Sequence, residues 1–376
     1  MKILFLCGCL EYGLDGVGDY TRRLAGELIR EGHLIKLIAF NDKHVSTPTE
    51  SIQESENTNV SIYRIPSILA EKERTELAFT VVDNFNPDWI SLQYVLYSFH
   101  DKGLPFSLAW RLKKLGSGKK WHIMFHELWV GNETLKNIGI SLLQKALIKN
   151  MLHQLQPNSV HTHLPIYFHQ LQQLGQTANE LPLFSNIPVS ATIFEKKSNQ
   201  FTIGFFSQAI ASEKIFTFIK KIQQQLSPAG KKIQVLFIGG SEVKMKEIGN
   251  KLEEYISFSN SVKYTGYLSP EKISAYIQNC DLGITSLPLF TLGKSGSVAA
   301  FFAHKIPVAV PDSENPYSEF GKPFFNFEIN KALLIDPDLS KFIDAKNAAI
   351  VAQKFTHLQT IAKKFLTDLN DATSNN

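Results

Sequence analysis

Short apolar runs alternate with longer amphipathic stretches from the first residues onward. "KILFLCG" has the continuous apolar character of a buried strand, "YTRRLAGELIREG" repeats apolar positions at helical spacing, and "HLIKLIAF" is a second strand. Strand, helix and strand in that order require a crossover, and so a parallel sheet covered on both faces. The pattern continues with "VSIYRI", a helix from about Ala70 to Phe85, the strand "DWISLQYV", a helix around Phe106 to Leu115, and the strand "WHIMFHEL". A longer helix is expected from about Glu133 to Leu155, closed by Pro157, then the strand "SVHTHL" and a helix reaching Gly175.

The periodic signal lapses in "LPLFSNIPVSATIFEKKSNQ", and the same alternation then restarts. "FTIGFFS" reads as a strand, Glu213 to Leu226 as a helix, "IQVLFIGG" as a strand, Val243 to Ile256 as a helix, and "VKYTGYL" as strand and turn. Pro270 to Asn279 follows as a helix, then the strand "DLGITSL", a helix opening near Lys294, and the strand "IPVAV". Leu339 to Leu369 reads as helical throughout, with a frayed "NDATSNN" tail. The pattern implies two doubly wound α/β domains, residues 1–188 and 189–350. Residues 351–376 form a terminal helix expected to pack back on the first domain.

Composition narrows the class. At 376 residues the chain exceeds the ~250–300 residues at which single cores stop growing, and 44% hydrophobic with 20% charged residues excludes a disordered chain. No apolar run approaches the ~20 residues that span a bilayer, and the start turns acidic too soon for a signal peptide. Cys7, Cys9 and Cys280 form no CxxC pair, which argues against a disulfide framework or zinc site and points to a reducing cytoplasm. A net charge of +4 suits an anionic small ligand and is too small for a nucleic-acid footprint.

In a pair of doubly wound domains that face each other, ligands are expected in the central cleft, outside the carboxyl ends of the strands. Four strand-to-helix loops there carry unusual residues: Gly13 to Asp19, His126 to Asn132, Ser207 to Lys214, and Phe290 to Ser297. Gly16 and Gly18 let backbone N–H groups approach an anion or sugar, or simply permit a tight turn. The dinucleotide fingerprint fails, because its third glycine position is Thr21. Gly293, Lys294 and Ser295 imitate a phosphate loop but lack its first glycine, since that position is Pro288. Lys294, Ser295, Gly296 and Ser297 nonetheless open an apolar helix, where N–H groups and an ammonium suit a diphosphate; an ordinary Ser295 cap is the plainer reading. Lys214, near a helix start, is poorly placed against the helix dipole unless an anion is near. His126, followed by Glu127, Trp129 and Asn132, could donate to a substrate hydroxyl or be structural. His161 and His163 share a strand face without an evident third metal ligand.

Taken together, "GVGDYTRRLAGELIREGH", "MFHELW", "LFSNIP", "VKYTGYLSPEKISAYIQNCDLGITSLP" and "AFFAHKIPVAV" resemble the GT-B glycosyltransferases, in particular the retaining family 4 type of bacterial surface-polysaccharide synthesis. The resemblance spans most of the chain. It implies a GT-B fold of two Rossmann-like domains, with an acceptor-binding first domain and a donor-binding second. It places Gly16 and Gly18 near the donor phosphate and acceptor, His126 on the transferred sugar, Lys214 on the diphosphate, and the turn Gly266, Tyr267, Leu268 beside the nucleotide base. Ser207, Gly293, Ser295, Gly296 and Ser297 complete the expected donor site, and Asp19, Glu127 and Trp129 the acceptor side. His126, Lys214 and Lys294 are the expected catalytic residues. Two departures stand out: the family's paired glutamates fall on Leu292 and Ala300, and its arginine on Ala209.

The activity implied is retaining transfer of a hexose from a UDP-sugar, UDP-glucose foremost, to a glycan or lipid-linked glycan, without a cofactor or metal and without nucleic acid. The missing glutamates leave open a catalytically inactive nucleotide-sugar-binding scaffold. A sugar-nucleotide epimerase on the same fold would lack carboxylates for proton abstraction. Arg111, Lys113, Lys114, Lys119 and Lys120, beside Phe106, Leu108 and Trp110, suit an anionic surface at the inner face of the plasma membrane, or form a solvated basic helix.

Overall fold

The computed structural model describes residues 1–129, 131, 135–256 and 261–374; Asn132 and Glu133 lie outside them. The chain divides into two compact units, Met1–Leu181 with Ile361–Asn376, and Pro182–Thr360. Beyond the border, Ser190 N donates to Ser274 Oγ at 2.8 Å and Thr192 Oγ1 to Glu271 at 2.7 Å, which ties the irregular segment to the second unit.

The first unit is built on eight strands: β1 (Lys2–Cys7), β2 (Leu34–Asp42), β3 (Thr49–Ser55), β4 (Thr58–Pro66), β5 (Trp89–Tyr94), β6 (Lys120–Phe125), β7 (Ser159–Thr162) and β8 (Asn179–Glu180). Their order is β3-β4-β2-β1-β5-β6-β7-β8, and every pairing except β3 with β4 is parallel. Ile3 to Cys7 of β1 are buried, as a central strand covered on both faces requires. The helix Gly16–Arg30 buries Tyr20, Leu24, Ala25 and Leu28.

β3 is absent from the sequence reading. Its residues alternate exposed and half-buried positions at the sheet edge, and its hairpin turns through Glu56 and Asn57, both left-handed at φ 52° and 57°. A turn of that kind is signalled by Asn-Gly or Asp-Gly, which this sequence lacks here. The stretch read as one helix from Leu339 to Leu369 is also divided, into Phe342–Phe355 and Leu358–Ser374. At the break Thr356 sends both its N–H and its hydroxyl to Ala352 O, a side-chain bond that competes with helix continuation. The last helix belongs largely to the first unit, where Phe365 stacks on Phe5 at 5.9 Å.

In the second unit, β9 (Gln200–Phe206), β10 (Lys232–Ile238), β11 (Val262–Tyr264), β12 (Leu282–Ile284), β13 (Val308–Ala309) and β14 (Leu333–Leu334) form a wholly parallel sheet in the order β11-β10-β9-β12-β13-β14. The helix Glu213–Leu226 packs Ile215, Phe218, Ile219 and Ile222 into one core. The helix Gly296–Ala303, apolar all round, sits in another. In each unit the strand order reverses beside the first strand, at β1/β5 and at β9/β12. Loops that leave the carboxyl ends there diverge to opposite faces and open a crevice in that unit's edge.

Candidate functional site

In the first unit the loop after β1 is stitched in place by charge. Asp15 caps the helix Gly16–Arg30 by accepting from Gly18 N at 2.6 Å, so that N–H is already engaged by the protein. Gly18 is required for another reason: a Cβ there would stand 2.7 Å from Cys9 O, whereas one on Gly16 meets nothing within 4 Å. Asp19 accepts from Gly13 N at 3.1 Å and from Arg22 at 2.6 Å, so it braces the loop.

Three residues the sequence reading did not single out do most of this bracing. Arg22 is buried against Gln53, Asp19 and Leu10 O. Asp42, buried at the carboxyl end of β2, accepts from Arg64, Leu10 N and His44 N. Burial alone would raise the Asp42 carboxyl, but the bonds from Arg64, His44 and Leu10 bring it below its usual value. In sequence they were three ordinary charges, Arg22 within a helical stretch and Asp42 and Arg64 at or within strands.

His126 follows β6, and its backbone N–H continues the ladder to Tyr94 O. Its side chain is 6% exposed, and both ring nitrogens have protein partners: Nε2 meets Gln93 Oε1 at 2.9 Å and Nδ1 meets His163 Nε2 at 3.0 Å. The Tyr20 ring stands edge-on to both imidazoles. Burial, with His163 adjacent, pushes the His126 pKa well down and so favours the uncharged ring. Glu127 is half-buried, and Trp129 packs against the first unit's core with Lys145 Nζ 4.8 Å from its ring centre. His161 and His163 point to His122 and His126, and among the described residues no metal-ligand set of three forms.

In the second unit the parallel sheet brings the expected donor residues to its carboxyl edge. Ser207 follows β9 in the left-handed region at φ 69°, held by its N–H to Ile238 O. Gly240 passes so close that a Cβ would meet Ser207 O at 2.5 Å. Ile210 N donates to Ser286 Oγ at 3.0 Å, joining the loops after β9 and β12 across the switch point. Thr265 Oγ1 accepts from Gly239 N at 2.9 Å and fixes the turn at Gly266, whose φ is 62°. Tyr267 beside it is 85% exposed and Leu268 half-buried.

Lys214 is drawn to acids: its Nζ lies 2.7 Å from Asp312 and 2.8 Å from Glu314, which raise its pKa. Asp312 O also accepts from Leu289 N at 3.0 Å, at the start of the 3-10 turn Leu289–Lys294. One residue thus links Lys214 to the segment holding Gly293, which is buried, and Lys294, which is half-buried. Ser295 is a conventional helix cap, accepting from Val298 N at 3.3 Å and meeting Ser297 Oγ at 3.0 Å; Gly296 is exposed. Leu292 and Ala300, where glutamates were sought, are members of the second unit's core, and Ala209 packs against it.

The basic cluster of the first unit is smaller than its sequence suggests. Arg111 and Leu108 are buried, Arg111 over Phe40 and 3.3 Å from Glu71. Lys119 bonds Asn86, and Lys120 lies over Trp89 and bonds Thr373. Phe106, Trp110, Lys113 and Lys114 remain on the surface, with Lys114 Nζ 3.8 Å from the Trp110 ring centre. Among the described residues no helix is long and apolar enough to cross a membrane.

Two doubly wound, Rossmann-like units in this order define the GT-B fold. No protein-family model matches the sequence, and no curated protein does. Solved structures do. The chain is similar to a sucrose-phosphate synthase from Thermosynechococcus elongatus, with a TM-score of 0.62 and 13% identity over 100% of both chains. It is similar to HepE of Anabaena, solved with UDP and glucose, with a TM-score of 0.60 and 14% identity over 99% of this chain and 100% of that one. The catalytic domain of starch synthase IV from Arabidopsis thaliana, bound to ADP and acarbose, gives a TM-score of 0.54 and 12% identity over 100% of this chain and 99% of that one.

Proposed function

We propose that this chain is a retaining glycosyltransferase that moves a hexose from a UDP-sugar, with UDP-glucose the first donor to test, to a glycan or lipid-linked glycan. The observation that carries the reading is the carboxyl edge of the second unit's sheet. There the loops that carry Lys214, Ser207 and the helix start at Ser295 to Ser297 are joined through Asp312 and Ser286, and the Gly266 turn is tied to the loop after β10 by Thr265. A diphosphate would take over Lys214 from Asp312 and Glu314, with Lys294 and the amides after Ser295 meeting the remaining charge. The anomeric C–O bond to the diphosphate breaks, the acceptor oxygen bonds the same carbon, and the acceptor's proton passes to the departing phosphate oxygen. That route asks for positioned cations and amides and for no metal. The UDP-bound state of HepE supports a UDP-sugar as the donor to test.

The test is product formation from a panel of UDP-, GDP- and ADP-hexoses with glycan and lipid-linked acceptors, with the anomeric configuration of the product read by NMR. One observation favours a second reading, a nucleotide-sugar-binding scaffold without turnover: Leu292 and Ala300, where the carboxylates were sought, are apolar core residues. Donor binding in calorimetry with no transfer or hydrolysis would establish that alternative. Peripheral attachment to an anionic membrane through Phe106, Trp110, Lys113 and Lys114 is part of the same proposal.

A further inference from the structure

Four histidines of the first unit lie on one buried line of hydrogen bonds that the transfer reading does not use. It begins at Asp368 Oδ2, which meets His161 Nε2 at 2.7 Å; His161 Nδ1 meets His122 Nε2 at 2.9 Å, and His122 Nδ1 meets Ser91 Oγ at 2.7 Å. Ser91 Oγ meets Gln93 Nε2 at 2.8 Å, and Gln93 Oε1 meets His126 Nε2 at 2.9 Å. His126 Nδ1 meets His163 Nε2 at 3.0 Å, and His163 Nδ1 ends the line on Leu181 O at 2.7 Å. The parallel register of β5, β6 and β7 builds it: Ser91 pairs with His122, and His161, one strand further on, pairs with Met124, which by strand alternation lies on the same face as His122. The last helix supplies Asp368.

The hydrogens can be counted. Both ends of the line, a carboxylate and a peptide carbonyl, only accept, so each of its seven contacts needs a hydrogen from within. Four neutral imidazoles bring one each, the Ser91 hydroxyl one, and the Gln93 amide one directed along the line. That is one hydrogen short of the seven contacts, so a fully bonded line carries one positive charge.

The Gln93 amide decides where the charge resides. With Nε2 toward Ser91 and Oε1 toward His126, the rings of His126 and His163 stand between two acceptors, and one of them must be the imidazolium. Neither has a carboxylate among its partners. A half-turn of the amide reverses the hydrogens, leaves His126 and His163 neutral, and puts the imidazolium on His122 or His161, of which only His161 touches a carboxylate, Asp368. We propose that the line holds one proton beyond neutrality on His161 against Asp368, and that Gln93 gives its N–H to His126 and locks that ring as the Nδ1–H tautomer.

Burial disfavours charge on all four rings and, with Lys364 nearby, holds the His161 pKa below its usual value too, with the Asp368 carboxylate opposing that at His161. The placement on His161 therefore rests on the hydrogen count and the Asp368 contact. Lys364 Nζ shares Asp368 Oδ2 at 2.9 Å, while half-buried Glu180 on β8, raised by burial, is drawn back by Lys364. The rings of Tyr20 and Phe365 also pack against the imidazoles, edge-on or tilted. In this state both nitrogens of His126 are engaged inside the protein, so His126 exchanges no proton with a substrate. Gln93, His163 and Asp368 are positioning residues.

The test needs no substrate, so its failure is separate from failure of the transfer reading. Histidine-¹⁵N-labelled full-length protein is studied at pH 7 by long-range ¹H–¹⁵N spectra, with His122→Gln, His126→Gln, His161→Gln and His163→Gln used for assignment. The expected result is one buried imidazole protonated on both nitrogens, assigned to His161, with His126 as the Nδ1–H form. Asp368→Asn should abolish the doubly protonated signal, because its amide can donate to His161 Nε2 and close the line without charge; Asp368→Glu should retain it. Four neutral rings in the parent, a charge on His122, His126 or His163, or a charged signal that survives in Asp368→Asn would overturn the proposal. Should Asp368→Asn fail to fold, the parent spectrum decides alone.

Discussion

The ammonium of Lys214 lies 2.7 Å from the carboxylate of Asp312, and Glu314 approaches from the other side at 2.8 Å. All three groups are exposed, so the contact adds little to the fold, and a diphosphate can displace the acids at small cost. Lys214→Ala is expected to lower UDP-sugar turnover by about 10²-fold or more, with a melting temperature near that of the parent. Initial rates and thermal denaturation check both parts, and normal turnover would remove Lys214 from the donor site.

The two glycines of the first loop should respond differently. A Cβ at Gly18 collides with the backbone oxygen of Cys9 at 2.7 Å, and no side chain can move to relieve it. Gly18→Ala is expected to destabilise the protein by about 1–3 kcal/mol in urea unfolding. Gly16→Ala enters open space and should stay within about 0.5 kcal/mol. If ligand phosphate or acceptor approaches Gly16, that variant keeps its stability and loses affinity.

Acid should loosen the first unit as His163 takes up a proton. Burial lowers the His163 pKa from 6.5 to about 4, so between those values the unfolded chain binds the proton and the folded chain does not. Stability therefore rises with pH across that window and falls on acidification, with a share from His163 approaching about 1.4 kcal/mol per pH unit. Urea midpoints from pH 4 to 7 should show the slope, and His163→Gln should flatten it.

Trp110 and Arg111 are neighbours in sequence with opposite roles. Arg111 packs over Phe40 and meets Glu71, so Arg111→Ala should destabilise by about 1–3 kcal/mol through the lost packing of its buried side chain. Trp110→Ala, at a 57% exposed site, should leave stability unchanged and reduce flotation with anionic vesicles if this surface meets membrane. Absence of lipid-dependent flotation in the parent would discard the membrane surface.

Much of the architecture was readable because its signals are local. Continuous apolar strands such as β1 and β9, and helices such as Glu213–Leu226, display their burial in residue spacing alone. The hairpin strand β3 was not readable, since its turn uses Glu56 and Asn57 in place of a glycine. The break at Thr356 was equally hidden, because the residues on either side are good helix formers. In the candidate site, Lys214 stood out as a lysine near a helix start and the turn at Gly266 through the family resemblance, whereas Arg22, Asp42 and Arg64 looked like ordinary charges.

What the sequence determined by itself is the succession of buried strands and covering helices, since burial periodicity is a property of neighbours a few positions apart. Which polar groups meet was decided only by tertiary structure. His126 read as a lone histidine, yet it is one of four aligned across β6 and β7, with Gln93 of β5 on one side and Asp368, over two hundred residues further along, closing the line. Parallel register sets those contacts, and register is a relation between strands that no single stretch of sequence contains.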